Sequence, residues 1–364
     1  MIYRRLLAGI AVPLMLASTL VACGGDSESG TPADSPITTP TSEDDIEGTI
    51  DTSKVKKSLV VGVDNPYYLF HEDILVAQDK GYFKDVGIDN VKIVTVEDPL
   101  PALIGGSLDL ALYDTDTAIA AGAKSKTDLR YLSVYLGGEA NILGVRKGID
   151  SLEDLKGKTI TGGQFGSRND FLIRKLLSDN GVDPEKDVKL VSTGGQSNER
   201  LQSVIAGTVD GASLQLRHKS LLEKAGGKFL LQETDQVPQV GWSVNELLKD
   251  SPETVAAFLS ATLKARQFIT DVANKDEVLS LMETKKFELP QDYKDAYEAE
   301  NDPNYHTSDG GFDPADMDKF IDTQIDLKGV PEGTDWRDWV NLVPLWRAQK
   351  SLGLPLRPSL AEMQ

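Results

Sequence analysis

I-G-G-S-L-D-L-A at residues 104–111 and I-A-G-T-V-D-G-A at residues 205–212 are two versions of one octapeptide, 101 residues apart. Each follows an apolar segment with helical periodicity, reaches a glycine of the kind that ends helices, and continues into a short apolar strand. Two such turns at the spacing of a small domain predict a duplicated α/β architecture. Glycine, hydroxyl and aspartate residues are also common in turns, so chance similarity is the alternative.

Strands and helices alternate around these two turns, which is the pattern of layered α/β folds. Short segments rich in β-branched or apolar residues predict strands at 59–63, 91–96, 110–112, 131–136, 142–146, 159–162 and 188–192. Helical periodicity, capping residues and closing glycines predict helices at 71–80, 151–156, 167–180 and, as the longest amphipathic segment, 253–273.

The N-terminal residues have the pattern of an export signal that ends at a lipidated cysteine. Arg4 and Arg5 precede an apolar run over residues 6–22, which is short for a membrane-spanning helix of about 20 residues. The L-V-A-C junction then resembles the bacterial lipobox at Cys23, the only cysteine of the chain. We therefore expect a signal peptide at 1–22, a lipid anchor on Cys23 and a location on the outer face of the cell membrane. An uncleaved anchor and a structural thiol are the alternatives.

The segment after this cysteine and the overall charge restrict the organisation further. Residues 26–52 are rich in Ser, Thr, Pro, Asp and Glu and contain few large apolar side chains. Such a segment buries too little surface to offset its ordering entropy, so we expect residues 23–57 to be a flexible tether. The formal net charge of −19 disfavours nucleic acid as a partner, because a phosphate backbone attracts basic surfaces.

Several short motifs follow one another along the chain in an order that is itself informative. They are N-P-Y at 65–67, A-Q-D-K-G-Y-F-K at 77–84, the turn at 106–111, S-L-E-D-L-K-G-K at 151–158 and G-T-V-D at 207–210. In this order and spacing, the sequence resembles the periplasmic solute-binding proteins of ABC importers, in the subgroup for nitrate, sulfonate, taurine and thiamin-pyrimidine solutes. The resemblance covers most of residues 58–245, and beyond Pro252 it extends only to helical character.

This resemblance implies a two-lobed α/β fold of the type II periplasmic-binding-protein kind, in which each lobe is a mixed sheet flanked by helices. Lobe 1 would comprise residues 58–146 and 241–364, and lobe 2 residues 147–240, joined by a hinge of two strands. Such proteins close around a ligand by hinge motion, and closure is what a membrane permease and its ATPase detect. The implied function is therefore the capture and delivery of a small solute, without a cofactor or a metal.

An enzyme on the same fold, such as the pyrimidine synthases that the family includes, is the alternative from a different class. Those enzymes carry a cysteine-rich motif for iron, whereas this chain has only Cys23. His71, His218 and His306 have no spacing typical of a metal site or a nucleophile triad. We therefore expect a binding protein rather than an enzyme, and a ligand sensor for a membrane kinase is a further alternative.

Ligands of open α/β sheets bind beyond the carboxyl ends of the strands, so we expect the binding residues in the loops that follow the strands. The candidates are Asn65, Tyr67 and Tyr68 after the first strand, Tyr113, Asp114 and Thr115 after the strand at 110–112, Gln164, Phe165, Ser167, Arg168 and Asn169 after the strand at 159–162, Gln215 in the equivalent loop of the second repeat, and Trp242 in the hinge. The junction at 166–169 also predicts free N–H groups at a helix N-terminus, which suit an anion or a carbonyl oxygen.

Aromatic and amide side chains predominate among these candidates. Aromatic faces stack on flat rings, and the amides of Asn and Gln supply both donors and acceptors to a heterocycle. We therefore expect an aromatic, vitamin-like solute, either riboflavin or a thiamin-pyrimidine precursor, both of which members of the similar family take up. An alkanesulfonate, taurine or nitrate is the alternative. Of the arginines, only Arg168 and Arg217 stand at expected cleft positions, although helix N-termini can hold anions without a cation.

Overall fold

The computed structural model describes residues 40–63, 72–96, 98–125, 128–193, 197–244, 246–285, 294, 297–299, 301–302 and 305–363. The strands are β1 Ser58–Val63, β2 Asn90–Thr95, β3 Leu110–Asp114, β4 Arg130–Val145, β5 Thr159–Thr161, β6 Lys189–Leu190, β7 Gly211–Leu214 and β8 Lys228–Val244. The helices are α1 Glu72–Asp79, α2 Tyr82–Asp85, α3 Leu100–Ile104, α4 Thr115–Ser125, α5 Arg168–Asp179, α6 Ser197–Ile205, α7 Lys219–Lys224, α8 Leu247–Asp250, α9 Pro252–Thr270, α10 Lys275–Thr284, α11 Pro314–Asp326 and α12 Val343–Ser351.

A mixed sheet of eight strands, in the order β2-β1-β3-β8-β4-β7-β5-β6, organises these elements. β1 pairs in parallel with β2 and β3, and β5 pairs in parallel with β6 and β7. The long strands β4 and β8 pair with each other in antiparallel fashion and connect the two ends of the sheet. We call β1–β3 with their helices the first half and β5–β7 with their helices the second half. The expected mixed sheet flanked by helices is therefore confirmed in both halves.

The registers of β4 and β8 show where the chain passes from one half to the other. β8 pairs with β3 through residues 240–244, and β4 pairs with β7 through residues 142–145. Between these stretches, β4 and β8 pair with each other, and β4 also forms an isolated antiparallel bridge between Leu136 and His306. The lobe boundaries expected at 146 and 240 remain a prediction, because residues from Thr39 onward form one compact unit.

The two octapeptides fold into the same turn. Gly106 and Gly207 have φ angles of 74° and 73°, a left-handed conformation that glycine adopts at little cost. In each copy, the aspartate that follows, Asp109 or Asp210, accepts a hydrogen bond from the backbone of the neighbouring parallel strand. The bonds are Val60 N–H to Asp109 Oδ2 at 2.7 Å and Thr159 N–H to Asp210 Oδ2 at 2.8 Å. A cation completes each turn, Lys56 at 2.6 Å from Asp109 and Arg146 at 2.6 Å from Asp210.

Each half has its own apolar core. In the first half, α9 is buried along nearly its whole length because it lies among α1, α2 and α12. Trp242 of β8 packs edge to face against Phe258 of α9, with ring centroids 4.9 Å apart. The second half has two buried clusters, one including Leu143, Ile160, Ile173 and Leu177, and the other including Ile142, Leu201, Val204 and Leu222.

The structure corrects three of the expected elements. The strands expected at 131–136 and 142–146 are one continuous strand, β4, whose pairing register with β8 shifts at several points between Tyr131 and Gly144. Of the long strand β8, only the part around Trp242 was expected, as a hinge strand; residues 228–237 were not, because they alternate too weakly in hydrophobicity. The helix expected at 151–156 is only a 3₁₀ turn over Glu153–Leu155.

The expectation of a flexible tether is also wrong for its last part, residues 40–57. Ile46 is buried there, with only 3% of its surface exposed. Arg347 of α12 donates hydrogen bonds to the carbonyls of Glu47 and Thr49, both at 3.1 Å, and pairs with Glu253 at 2.8 Å. The composition of this segment is typical of disorder, but backbone carbonyls that accept from a buried arginine hold it against the body. Residues 1–39, including Cys23, lie outside the described residues.

Candidate functional site

The candidate site lies where the strand ends of the two halves face each other. β3 is antiparallel to β8 and ends with Asp114 opposite Val240. β7 is antiparallel to β4 and ends with Leu214 opposite Ile142. Because both ends point toward the stretch in which β4 and β8 cross between the halves, the loops after β3 and β7 approach a common cleft. The loop after β5 ends at the same edge as that after β7, since the two strands are parallel.

The loop between β5 and α5 is stabilised by hydrogen bonds of its own. The Phe165 N–H donates to Ser192 Oγ at 3.2 Å, the Gly166 N–H to Asp170 Oδ2 at 3.0 Å, and the Ser167 N–H to the Gln164 carbonyl at 3.1 Å. Ser167 is the N-cap of α5 and accepts from the Asp170 N–H at 3.3 Å. The free N–H groups expected at the start of this junction are therefore occupied, and a buried carboxylate, Asp170, already lies there.

Side chains of this loop remain available at its surface. Phe165 is 51% exposed, and the Arg174 guanidinium lies 5.7 Å from its ring centroid. Gln164 and Asn169 are exposed, and Arg168 is half-buried. These residues could contact a ligand in the cleft, so they stay in the proposed site.

An arginine cluster lies at the adjoining strand end of the second half. It comprises Arg200 on α6, Arg217 in the turn after β7, and the polar residues Ser197, Gln215 and His218. Arg217 donates to Ser197 Oγ at 3.1 Å, Ser197 donates to Gln215 Oε1 at 2.9 Å, and Arg200 Nε donates to the Ser213 carbonyl at 2.9 Å. Arg200 is 6% exposed, so a charged guanidinium is buried at this edge of the sheet.

The protonation state of His218 reflects the positive charge of this cluster. The Gln215 N–H donates to His218 Nδ1 at 3.2 Å, and Nε2 lies 2.9 Å from Asn198 Oδ1, so the neutral ring with its proton on Nε2 fits both contacts. Burial, and then the Arg217 and Arg200 guanidinium groups, lowers the pKa of His218 to about 3. Burial, and then Arg217, also lowers the pKa of Arg200. The cluster is therefore a cationic region in which His218 is neutral at physiological pH.

Arg168 of the second half contacts helix α11 and, through it, α4 of the first half. Arg168, the first residue of α5, lies with its guanidinium 4.7 Å from the ring centroid of Phe320 on α11. With its amide nitrogen toward Asp116 on α4, Gln324 of α11 donates to Asp116 Oδ2 at 3.1 Å and accepts from Arg168 NH1 at 3.2 Å. The structure therefore brings Arg168 together with α11, which the sequence reasoning did not include in the site.

The first half contributes fewer of the expected side chains. Tyr113 is half-buried and Asp114 is exposed at the end of β3. Thr115 is fully buried and donates from its hydroxyl to the Tyr131 hydroxyl at 2.8 Å, so it belongs to the core. Trp242 is also fully buried, and its ring packs between β8 and α9 rather than facing the cleft. Asn65, Tyr67 and Tyr68 lie outside the described residues.

Two site residues were missed by the sequence reasoning, and the reason differs for each. Arg200 occupies a helix whose polar residues resemble a solvated face, and only the fold shows that it points toward the end of β7. Gln324 lies 156 residues beyond Arg168 in a region that carried no recognisable motif. For Arg200, its position shortly after the strand expected at 188–192 was a usable signal; for Gln324 we find none.

A buried ion pair lies at the N-terminus of α1, behind the first strand end. Asp73 is 0% and Arg266 3% exposed, with Nε and Oδ2 3.4 Å apart, and the guanidinium lies 4.4 Å from the Tyr135 ring centroid. Burial raises the pKa of Asp73 to about 6, and Arg266 opposes this shift. Because Arg266 also donates to the Val134 carbonyl at 2.7 Å, the pair stabilises β4 rather than presenting a charge to the cleft.

In the part of the chain that the structure covers, no group of three or more His, Cys, Asp or Glu side chains could hold a metal ion. No helix in that part is both long and apolar enough to cross a membrane. The arrangement consists of a cleft, a cationic cluster and exposed polar and aromatic side chains.

Taken as a whole, this topology is that of the periplasmic-binding-protein fold. Solved proteins with this fold include the aliphatic sulphonate-binding protein SsuA of Escherichia coli, with a TM-score of 0.59 and 19% identity. The match covers 78% of this chain and 97% of SsuA. The nitrate-binding protein NrtA of Synechocystis PCC 6803 matches with a TM-score of 0.60 and 17% identity, over 84% of this chain and 92% of NrtA. At this identity, the likeness establishes the fold, and the predicted fold class is confirmed.

Sequence comparison places the chain in a family. Residues 70–274, more than half of the chain, match the family model described as NMT1/THI5 like. The chain belongs to the NMT1/THI5-like family, as its motifs predicted. A Bacillus subtilis protein, YtlA, whose name describes it as a binding protein, is 26% identical over 219 residues, which span 57% of this chain and 65% of that relative. The matched region is thus a little under two thirds of the relative's length.

Proposed function

We propose that this protein is the extracytoplasmic solute-binding component of an ABC importer. It would capture a small solute between the halves of the sheet and present it to a permease with its ATPase. The observation that carries the proposal is the register of β4 and β8, which turns the ends of β3 and β7 toward one cleft. The fold shared with SsuA and NrtA supports the same role. We propose binding without catalysis, and anchoring to the membrane through lipids on Cys23.

The solute class that the geometry favours is a small organic anion of the alkanesulfonate or taurine kind. Arg200 and Arg217 lie together at the end of β7, and Arg168 lies at the start of α5. Two guanidinium groups near each other in a half-buried site favour an oxyanion, because charge-assisted hydrogen bonds are stronger than neutral ones. Burial of Thr115 and Trp242 meanwhile removes part of the polar and aromatic set that first suggested a neutral ring.

An aromatic, vitamin-like solute is the second candidate, either riboflavin or a thiamin-pyrimidine precursor. Two observations favour it: Phe165 is 51% exposed beside the cleft, and Tyr113 is half-buried at the end of β3. Aromatic faces in such positions can stack on a flat ring, and the Gln164 and Asn169 amides can pair with its edge. A solute with both a ring and an anionic group would use both sets of residues.

Replacing Arg217 with glutamine tests the preference for an anion. The variant keeps a polar side chain but loses the charge, so the dissociation constant for butanesulfonate or taurine should rise about 10-fold or more. Lys186→Gln is the matched control, because Lys186 is exposed and pairs only with Asp183 among the described residues. Calorimetric titration of both variants with butanesulfonate, taurine and riboflavin measures the effect. Unchanged sulfonate binding in Arg217→Gln contradicts the role of Arg217 in holding the anion, whereas binding of riboflavin alone contradicts the anion class and supports the second candidate.

A further inference from the structure

Helix α11 packs against β8 and contacts residues of both α4 and α5. It begins at Pro314, with the Asp313 side chain as N-cap acceptor for the Ala315 N–H at 2.8 Å. Its buried residues, Met317, Phe320, Ile321 and Gln324, recur at helical spacing on one face. Asp318 on the same helix accepts from the Trp336 indole N–H at 2.7 Å, so α11 is fixed to the C-terminal segment.

Two side chains of this helix contact Arg168, which belongs to the second half. The Phe320 ring lies 4.7 Å from the guanidinium, within the range of a cation–π contact. With its amide oriented so that the oxygen faces Arg168 and the nitrogen faces Asp116, which gives both atoms a complementary partner, Gln324 accepts from Arg168 NH1 at 3.2 Å. Both contacts cross from one half of the sheet to the other, and they restrain the position of a residue that we place in the binding site.

The chemistry of an amide suits the place that Gln324 occupies. The same side chain donates through its nitrogen to Asp116 Oδ2 at 3.1 Å, on the helix that follows β3. Gln324 is 5% exposed, so both ends of its amide need partners within the protein. An apolar residue would satisfy neither neighbour, and a lysine or glutamate would satisfy only one of them. Asp116, Gln324 and Arg168 thus form a chain of two hydrogen bonds that links both strand ends of the cleft.

We propose that Gln324 is a positioning residue that, with Phe320, holds Arg168 of the second half against the first half at the mouth of the binding cleft. This inference rests on the proposed function, since it assigns to α11 a part in solute capture. We call the contacts of Asp116, Gln324 and Arg168 the bridge. Formation of the bridge accompanies the approach of the two halves, so its loss should favour the arrangement in which the halves are apart and should weaken solute binding. Neither Gln324 nor Phe320 needs to touch the solute for this effect.

A charge exchange across the bridge provides the sharpest test. Gln324→Glu keeps an acceptor for Arg168 but places a carboxylate beside Asp116, so the Asp116 end of the bridge should break. Adding Asp116→Asn supplies an amide donor to the new carboxylate, so the double variant should restore the chain of hydrogen bonds with the two groups exchanged. Asp322→Asn is the matched control, because Asp322 lies on the exposed face of α11. A residue that only fills space would show no such rescue.

Hydrogen exchange of the full chain in detergent, without any solute, provides the first measurement. Amides at the start of α4, where Asp116 lies, should exchange about 10-fold faster in Gln324→Glu than in the wild type, and at the wild-type rate in the double variant and in Asp322→Asn. Equal exchange in Gln324→Glu and the control, or no recovery in the double variant, overturns the proposal. Gln324→Ala, which introduces no charge, should behave like Gln324→Glu and guards against an effect of misfolding.

Titration with butanesulfonate and riboflavin then separates this inference from the proposed function. Where a probe binds the wild type, its dissociation constant should rise about 10-fold in Gln324→Glu and recover in the double variant. Failure of every probe to bind the wild type would count against the proposed solute classes, while the exchange rates would still decide whether the bridge exists. Equal affinity in the wild type and Gln324→Glu would overturn the role of the bridge in capture.

Discussion

Replacing Trp242 with alanine should lower the free energy of unfolding by about 4 kcal/mol and leave solute binding intact in the folded fraction. The indole is fully buried, opposite Leu112 of β3 and Ser133 of β4, and packs edge to face on Phe258. A buried indole removes roughly 200 Å² from water, and at about 25 cal/mol per Å² this gives about 5 kcal/mol as an upper limit. Measured losses for removing a buried large aromatic ring are about 3–5 kcal/mol.

Urea unfolding followed by far-ultraviolet circular dichroism measures this loss as a lower midpoint at unchanged slope. Trp242→Phe keeps an aromatic ring against Phe258 and should lose only about half as much. A loss of less than about 1 kcal/mol, together with loss of binding for the solute that stabilises the wild type, would refute the assignment of Trp242 to the core. It would return this residue to the ligand-binding set in which the sequence first placed it.

Two further predictions concern other parts of the molecule. The lowered pKa of buried His218, about 3 against about 6.5 when unfolded, means that the unfolded chain binds the extra proton between these values. The stability from its neutral form is therefore full above pH 6.5 and is lost as pH falls toward 3, by about 2 kcal/mol at pH 5. Urea titrations at pH 7 and 5 give the fall in the free energy of unfolding between these pH values, and in His218→Gln this fall should be smaller by the contribution of His218. An equal fall in the variant and the wild type would mean that the ring is protonated in the folded state. Arg347→Ala should cost about 3 kcal/mol, because Glu253 loses its buried partner, and should expose residues 47–52 to proteases; cleavage at the wild-type rate would contradict the docking of this segment.

The sequence predicted those parts of the fold whose signal is local. Gly106 and Gly207 need a left-handed conformation. The aspartates of the two turns accept hydrogen bonds from the strand directly beside them, so each turn can be predicted from its own eight residues. The first part of β8 was missed because it is half exposed and pairs with a strand that is distant in sequence. A strand of that kind is defined by its neighbours more than by its own alternation of apolar residues.

The candidate site was less predictable, for reasons that particular residues make clear. Trp242 was assigned to the cleft because it lies in a connecting strand, but the side of the sheet on which it lies follows from the register with Leu112. Arg200 and Gln324 belong to helices whose polar residues have no distinguishing pattern, and only their burial marks them. The segment at 40–57 was predicted to be a tether from its composition. Composition gives no sign that one distant arginine, Arg347, binds the backbone of this segment.

The most direct test of the central claim is a thermal melt of the full chain in detergent against riboflavin, thiamin, a formylated aminopyrimidine, taurine, butanesulfonate and nitrate. A solute present at 100 times its dissociation constant stabilises the folded state by about 2.7 kcal/mol, which is a measurable shift in melting temperature. We predict a shift with taurine or butanesulfonate that is lost in Arg217→Gln and kept in Lys186→Gln. A shift with riboflavin or the aminopyrimidine alone would contradict the anion class, and no shift with any of the six at millimolar concentration would contradict the proposed solutes altogether.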